Sequence, residues 1–161
     1  MKSGDELAIR FARVARDLGR DGAEPARVAM LVSVKPDASM LGDLYCHGDN
    51  DERRAILRAL PLLDEAWRFG ELAVEACRSS VTPIFEAIAC ENPFPSLYFS
   101  DDSFNQMVLK AVFVGVSLAR VVGLRTRLTP ELSRMAEDYA AERRAAGRTI
   151  PSDLALLGSR A

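Results

Sequence analysis

Apolar residues recur along almost the whole chain at helical spacing. Leu7, Phe11, Val14 and Leu18 follow one another at steps of four, three and four. Residues 3–18 are therefore predicted as an amphipathic helix, with Ser3 and Glu6 spaced as a capping box and Gly19 as the stop. Pro25, at a first helical position, opens the next run, to 34. Pro36 opens another that carries Met40, Leu41, Leu44 and Tyr45. After a polar loop at 47–50, Asp49 and Glu52 repeat the capping spacing ahead of Ile56, Leu57 and Leu60, and Pro61 ends that helix. Asp64 is placed to cap a helix bearing Trp67, Phe69, Leu72, Val74 and Cys77, and Thr82-Pro83 starts a short helix to 90.

The second half is punctuated differently. Asn92-Pro93-Phe94-Pro95 is not expected to continue a helix, because each proline lacks a donor and pushes its predecessor toward extended backbone. Phe94, Leu97, Tyr98 and Phe99 are too apolar for a free loop, so this connection is expected to pack onto the bundle. Asp101 or Asp102 then caps a long apolar central helix to 122, ended by Gly123. Thr129-Pro130-Glu131 starts the last long helix and Gly147 closes it; Pro151 begins a short C-terminal helix with Leu154, Leu156 and Leu157. Nothing alternates cleanly enough to prefer a strand, and no repeat is evident. The expectation is an all-α chain, 1–161 as a single domain: an irregular bundle, or a short helix-pair stack, of eight to nine helices.

Polar residues on these apolar helices mark the candidate site. On a wheel with Phe104 at zero, Gln106, Ser117 and Lys110 fall at roughly 200°, 220° and 240°, with Phe113 and Arg120 beside them at about 180° and 160°. That narrow stripe is either the helix's solvated edge or the lining of a pocket. Asn105 stands apart, near the helix start, where it could satisfy backbone groups of the proline-rich turn. In the last long helix Arg143 falls at about 20° from Leu132, amid a face of Met135, Ala136, Tyr139 and Ala146. A guanidinium there snorkels outward or finds an anion: an internal salt bridge on one reading, a ligand carboxylate or phosphate held with Tyr139 on the other. Asp138 and Glu142 lie beside it, and Arg134 can pair with Asp138 at i, i+4.

Composition narrows the functions. Of 161 residues 48% are apolar and 27% charged, which excludes a disordered chain. A net charge of −2, with basic and acidic residues dispersed, argues against a nucleic-acid partner. Cys46, Cys77 and Cys90 form no CxxC pair and are expected to stay reduced, as small buried residues in a cytoplasm. The start of the chain lacks the apolar run of a signal peptide. Residues 107–124 approach membrane-spanning length, but Lys110 and Arg120 inside them argue against stable insertion. His47 is the single histidine; near Cys46, Asp49 and Asp51 it lacks known metal-site spacing and reads as an exposed loop residue. No phosphate loop, serine elbow or HExxH occurs, and no metal or other cofactor is called for.

Three segments then carry a resemblance. Asn92–Pro95, Phe104-Asn105-Gln106-Met107-Val108-Leu109-Lys110-Ala111, and Pro130-Glu131-Leu132-Ser133-Arg134-Met135 through Asp138-Tyr139-Ala140-Ala141-Glu142-Arg143 to Ala145-Ala146-Gly147-Arg148 together resemble the EboA domain family. The similarity is strongest over 60–157. Phe104 stands where the family has tryptophan, Thr129 where it has asparagine and Ala141 where it has histidine, which puts any histidine-dependent role in doubt. The resemblance implies a small helical cytoplasmic protein of bacterial secondary-metabolite clusters, with relatives beside prenyltransferases and sugar-processing enzymes.

The residues and the resemblance together support two functions. One is an accessory protein of natural-product biosynthesis that binds a pathway intermediate or a partner enzyme, with Asn105, Gln106, Lys110, Asp138, Tyr139, Glu142 and Arg143 as candidate ligand-binding residues. The other is a small cofactor-independent tailoring enzyme (isomerase, cyclase or dehydratase) drawing acid–base groups from Lys110, Asp138, Tyr139 and Glu142. A bare scaffold presenting Phe94, Tyr98 and Phe99 to a partner is a third reading, and a homodimer stays open.

Overall fold

Glycines and prolines cut the chain into helices, largely where the pattern marks them. The computed structural model describes residues 2–158, apart from the side chains of 2, 3 and 20; the Ser3–Glu6 capping box lies outside the described residues. Among the described residues every regular element is helical, with eight α-helices and four 3₁₀ turns, so the fold is all-α. The chain divides into two compact units, Met1–Ile88 and Ala89–Ala161.

In the first unit α1 (Lys2–Val34) is two helical stretches joined at Gly19, whose φ of 74° and ψ of 171° break the hydrogen-bond ladder. Pro25 lies inside the second stretch rather than opening it. Leu7, Phe11 and Val14 are buried as their spacing requires, whereas Leu18, beside the break, is exposed. α1 packs chiefly on α3 (Asn50–Ala59). α2 (Ala38–His47) starts two residues after Pro36, capped by Asp37, whose carboxylate accepts from the Met40 N–H at 2.8 Å. The expected box at the start of α3 is complete: Asp49 accepts from the Glu52 N–H and Glu52 from the Asp49 N–H.

Pro61 ends α3 in a 3₁₀ turn, Leu60–Leu62. Asp64 caps no helix; its carboxylate pairs with Lys35 at 2.7 Å, and Glu65 turns the chain through left-handed backbone. A second 3₁₀ turn, Ala66–Phe69, precedes α4 (Gly70–Cys77), and α5 (Thr82–Ala89) comes next. Arg27 is 2% exposed within this unit. Its Nε donates to the Phe11 carbonyl at 3.0 Å, its Nη2 reaches Glu52 at 3.4 Å, and it lies over the Phe11 ring.

The second unit corrects the sequence reading most. The proline-rich segment is itself a one-turn helix, α6 (Phe94–Tyr98). Asn92 accepts from the Phe94 N–H, and Pro95 sits in the first turn, where a missing donor costs nothing. α7 (Asp101–Val114) is capped by Ser100, not by Asp101 or Asp102. It ends at Gly115 (φ 75°), well short of 122. The Val116 N–H donates to the Ala111 carbonyl at 2.8 Å and the Gly115 N–H to that of Val112, a left-handed glycine cap. Beyond it a 3₁₀ turn, Leu118–Arg120, is tied at Leu118 N–H to the Asp153 carboxylate at 2.6 Å.

Arg127 ties α6 to the segment that leads into the last long helix. It donates to the carbonyls of Pro95, Ser96 and Phe99 and to Asp101, with its guanidinium over the Phe104 ring. That last long helix, α8 (Pro130–Ala145), begins as expected, with Thr129 accepting from the Leu132 N–H, and Gly147 (φ 64°) closes it. The final 3₁₀ helix, Ser152–Leu157, buries Leu154 and Leu157.

Candidate functional site

Where α8 leaves the core decides what its polar residues can do. Leu132, Ser133, Ala136 and Ala140 form the buried face; from Ala141 onward the helix is exposed or half-exposed. Arg143 therefore does not lie in a core. Its Nε and Nη2 donate to the Thr149 carbonyl at 2.9 and 2.7 Å, so an internal salt bridge is not what engages it. Thr149 comes within reach because the cap at Gly147 reverses the chain: the Arg148 N–H donates to the Arg143 carbonyl and the Gly147 N–H to that of Arg144.

Around Arg143 a concavity of about 350 Å³ opens within the second unit, lined by Phe113, Tyr139, Glu142, Arg143, Ala146 and Arg148. The Phe113 and Tyr139 rings meet at 4.6 Å between centroids and 59° between planes. The Arg143 guanidinium lies 5.9 Å from the Tyr139 ring centre, a cation over an aromatic face. Phe113 is 65% exposed, so α7 contributes a wall rather than core.

Three of the seven expected site residues, Tyr139, Glu142 and Arg143, come together in this concavity. Asp138 is drawn away: the i, i+4 pair with Arg134 forms at 2.8 Å, and Arg134 also holds Glu131. That hydrogen bond keeps the Glu131 carboxyl below its usual range. The Gln106, Lys110 and Ser117 stripe is cut short, because α7 stops at Gly115 and leaves Ser117 beyond the helix as the cap of the next turn; Gln106, Lys110 and Phe113 remain on its less buried edge. Gln106 is exposed and Lys110 half-buried. Asn105 is 3% exposed, and its Oδ1 has no hydrogen-bond partner among the described residues. The work expected of it at the proline-rich turn is done by Asn92 and Arg127. Of the aromatic partner surface expected there, Phe94 and Phe99 are buried, and only Tyr98, with Leu97 beside it, is exposed.

The first unit holds a larger concavity, about 840 Å³, between α1, α2 and the start of α3. Asp5, Asp37, Asp43, Glu52 and His47 line it, over Phe11. His47, the last residue of α2 and exposed, donates from Nδ1 to the Asp43 carbonyl at 2.8 Å. Among the described residues no histidine, cysteine and carboxylate cluster could hold a metal ion. Cys77 and Cys90 are buried, but Cys46 is exposed. Sequence reasoning passed over this groove and both structural arginines. Arg27 had a signal, since Ala23, Arg27 and Leu31 share one face at steps of four, and both apolar neighbours are buried. Arg127 lies outside any helix and had none.

These features define an all-α chain with an aromatic and cationic concavity on its last long helix, and among the described residues no helix is long and apolar enough to cross a membrane. Residues 24–157 match the family model described as metabolite traffic protein EboA, and the chain belongs to the EboA family. The match starts well before residue 60 and takes in the last part of α1. No curated protein and no solved structure matches the chain.

Proposed function

We propose that this protein is a non-catalytic accessory protein of metabolite traffic that binds a small metabolite in the α7–α8 concavity. The observation that carries this reading is the convergence of two aromatic faces and two arginines on one open concavity, in a family described by metabolite traffic. Apolar walls with a few oriented polar groups are the usual make-up of a small-ligand site. The tailoring-enzyme alternative is less well served: of its acid–base groups only Tyr139 and Glu142 line the concavity, and Asp138 is engaged by Arg134. The reading keeps the finer expectations of the sequence, namely a bacterial secondary-metabolite pathway, a cytoplasmic location, and a pathway intermediate as the cargo.

Equilibrium dialysis tests it. The purified protein is dialysed against a metabolite extract from cells lacking the gene, and both sides are measured by mass spectrometry. A compound enriched on the protein side with unchanged mass is expected, and Tyr139→Ala abolishes the enrichment while remaining folded. Consumption of a compound with appearance of a product would make the protein an enzyme instead.

A further inference from the structure

We infer that the α7–α8 concavity selects a ligand with a flat apolar body and a small oxyanion group, carboxylate or phosphate. The inference rests on the binding reading above and names the ligand class of the same site.

The apolar half comes from the rings. Phe113 and Tyr139 pack on each other at 4.6 Å and 59°, a tilted pair that lines the concavity, and Phe113 remains 65% exposed. A flat apolar body stacking on that open face gains ring-to-ring contact and removes exposed aromatic surface from water.

The anionic half comes from the arginines. Arg143 is fixed over Tyr139 because Nε and Nη2 both donate to the Thr149 carbonyl. Its Nη1, with two N–H donors, has no partner among the described residues. The glycine cap holds the backbone of Arg148 against the Arg143 carbonyl, so a second guanidinium lines the same concavity. That guanidinium has neither a hydrogen bond nor an ion pair among the described residues. Glu142 is the one carboxylate in the lining, against two guanidinium groups. The surplus is positive, and guanidinium forks match the geometry of carboxylate and phosphate oxygens. Arg127 differs, since its donors are taken by three backbone carbonyls and Asp101.

Four naphthalene probes test the class by titration: 1-naphthoate, 1-naphthyl phosphate, neutral 1-naphthalenemethanol and cationic 1-naphthylmethylammonium. The two anions are expected to bind at least about tenfold more tightly than the alcohol, the size of one charge-assisted hydrogen bond. Arg148→Gln reduces that preference, leaving only the share of Arg143, and Tyr139→Ala weakens all four. Which anion binds better distinguishes carboxylate from phosphate. The inference is overturned if the alcohol or the ammonium binds as tightly as the anions, or if Arg148→Gln leaves the preference intact. If no probe binds while the dialysis still retains a compound, the ligand class is wrong and the binding reading stands. If the dialysis also retains nothing, both fail.

Discussion

The two units each carry a concavity, and the smaller one is the better candidate. The groove of the first unit, at about 840 Å³, is more than twice the size of the α7–α8 concavity, at about 350 Å³. Part of its polar lining holds helices, while the side chains of Asp5, Ser39 and Asp43 have no partner among the described residues and leave the groove acidic. Asp37 caps α2, Glu52 completes the capping box of α3 and meets Arg27, and the Phe11 ring beneath is buried. In the α7–α8 concavity the Phe113 ring is open, and Arg148 and part of Arg143 keep donors to spare. Beyond volume, the two differ in their unengaged groups: carboxylates in the groove, guanidinium donors beside an open aromatic ring at α8.

The contrast has consequences that can be measured. The largest belongs to the first unit. Arg27→Ala removes a buried guanidinium from the Phe11 carbonyl and from Glu52, and is expected to cost about 3 kcal/mol in urea unfolding. An unchanged midpoint would mean that Arg27 does not organise this unit. Arg127→Ala strips its hydrogen bonds from α6 and is expected to cost about 2 kcal/mol. Arg148→Gln, by contrast, should stay within about 0.5 kcal/mol of the parent, since its side chain is exposed and unengaged. Equal losses at Arg127 and Arg148 would erase the distinction between a structural and an available arginine.

A smaller effect concerns pH. Burial first, against the opposing charge of Arg53, holds the Tyr45 phenol above its ordinary value of 10.0. The unfolded chain therefore ionises this phenol before the folded one. Its contribution to stability is complete below pH 10 and is lost as pH rises through the folded value. Tyr45→Phe is expected to flatten that alkaline decline in unfolding experiments; an unaltered slope would assign the decline to other groups.

What was legible in the sequence was local. The Asp49 and Glu52 box, the Thr129 cap and the Gly147 stop each depend on residues within one turn, and each formed. The end of α7 was misplaced because Gly115 and Gly123 are both permissible stops within a long apolar run. The deciding signal was Val116: an apolar residue after a glycine suits the cap that forms, and Val116 is buried. With the helix ending at Gly115, Gln106 and Lys110 share an edge of α7 and Ser117 does not. Tyr139, Glu142 and Arg143 were legible because they share one helix; Arg148 was not, because it lies past the glycine where the wheel ends. Phe113 was read only as a neighbour of the stripe, and Arg127 acts entirely through contacts distant in sequence.

The central claim is that ligand binds at α8 and not in the acidic groove, and the chain carries a reporter for each. His47 is its only histidine and lines the groove; Tyr139 is one of three tyrosines and lines the α7–α8 concavity. Side-chain NMR signals of both are tracked while 1-naphthoate is added. The Tyr139 ring signals are predicted to shift saturably, with the His47 imidazole signal unmoved. A saturable shift at His47 with Tyr139 unmoved would contradict the account.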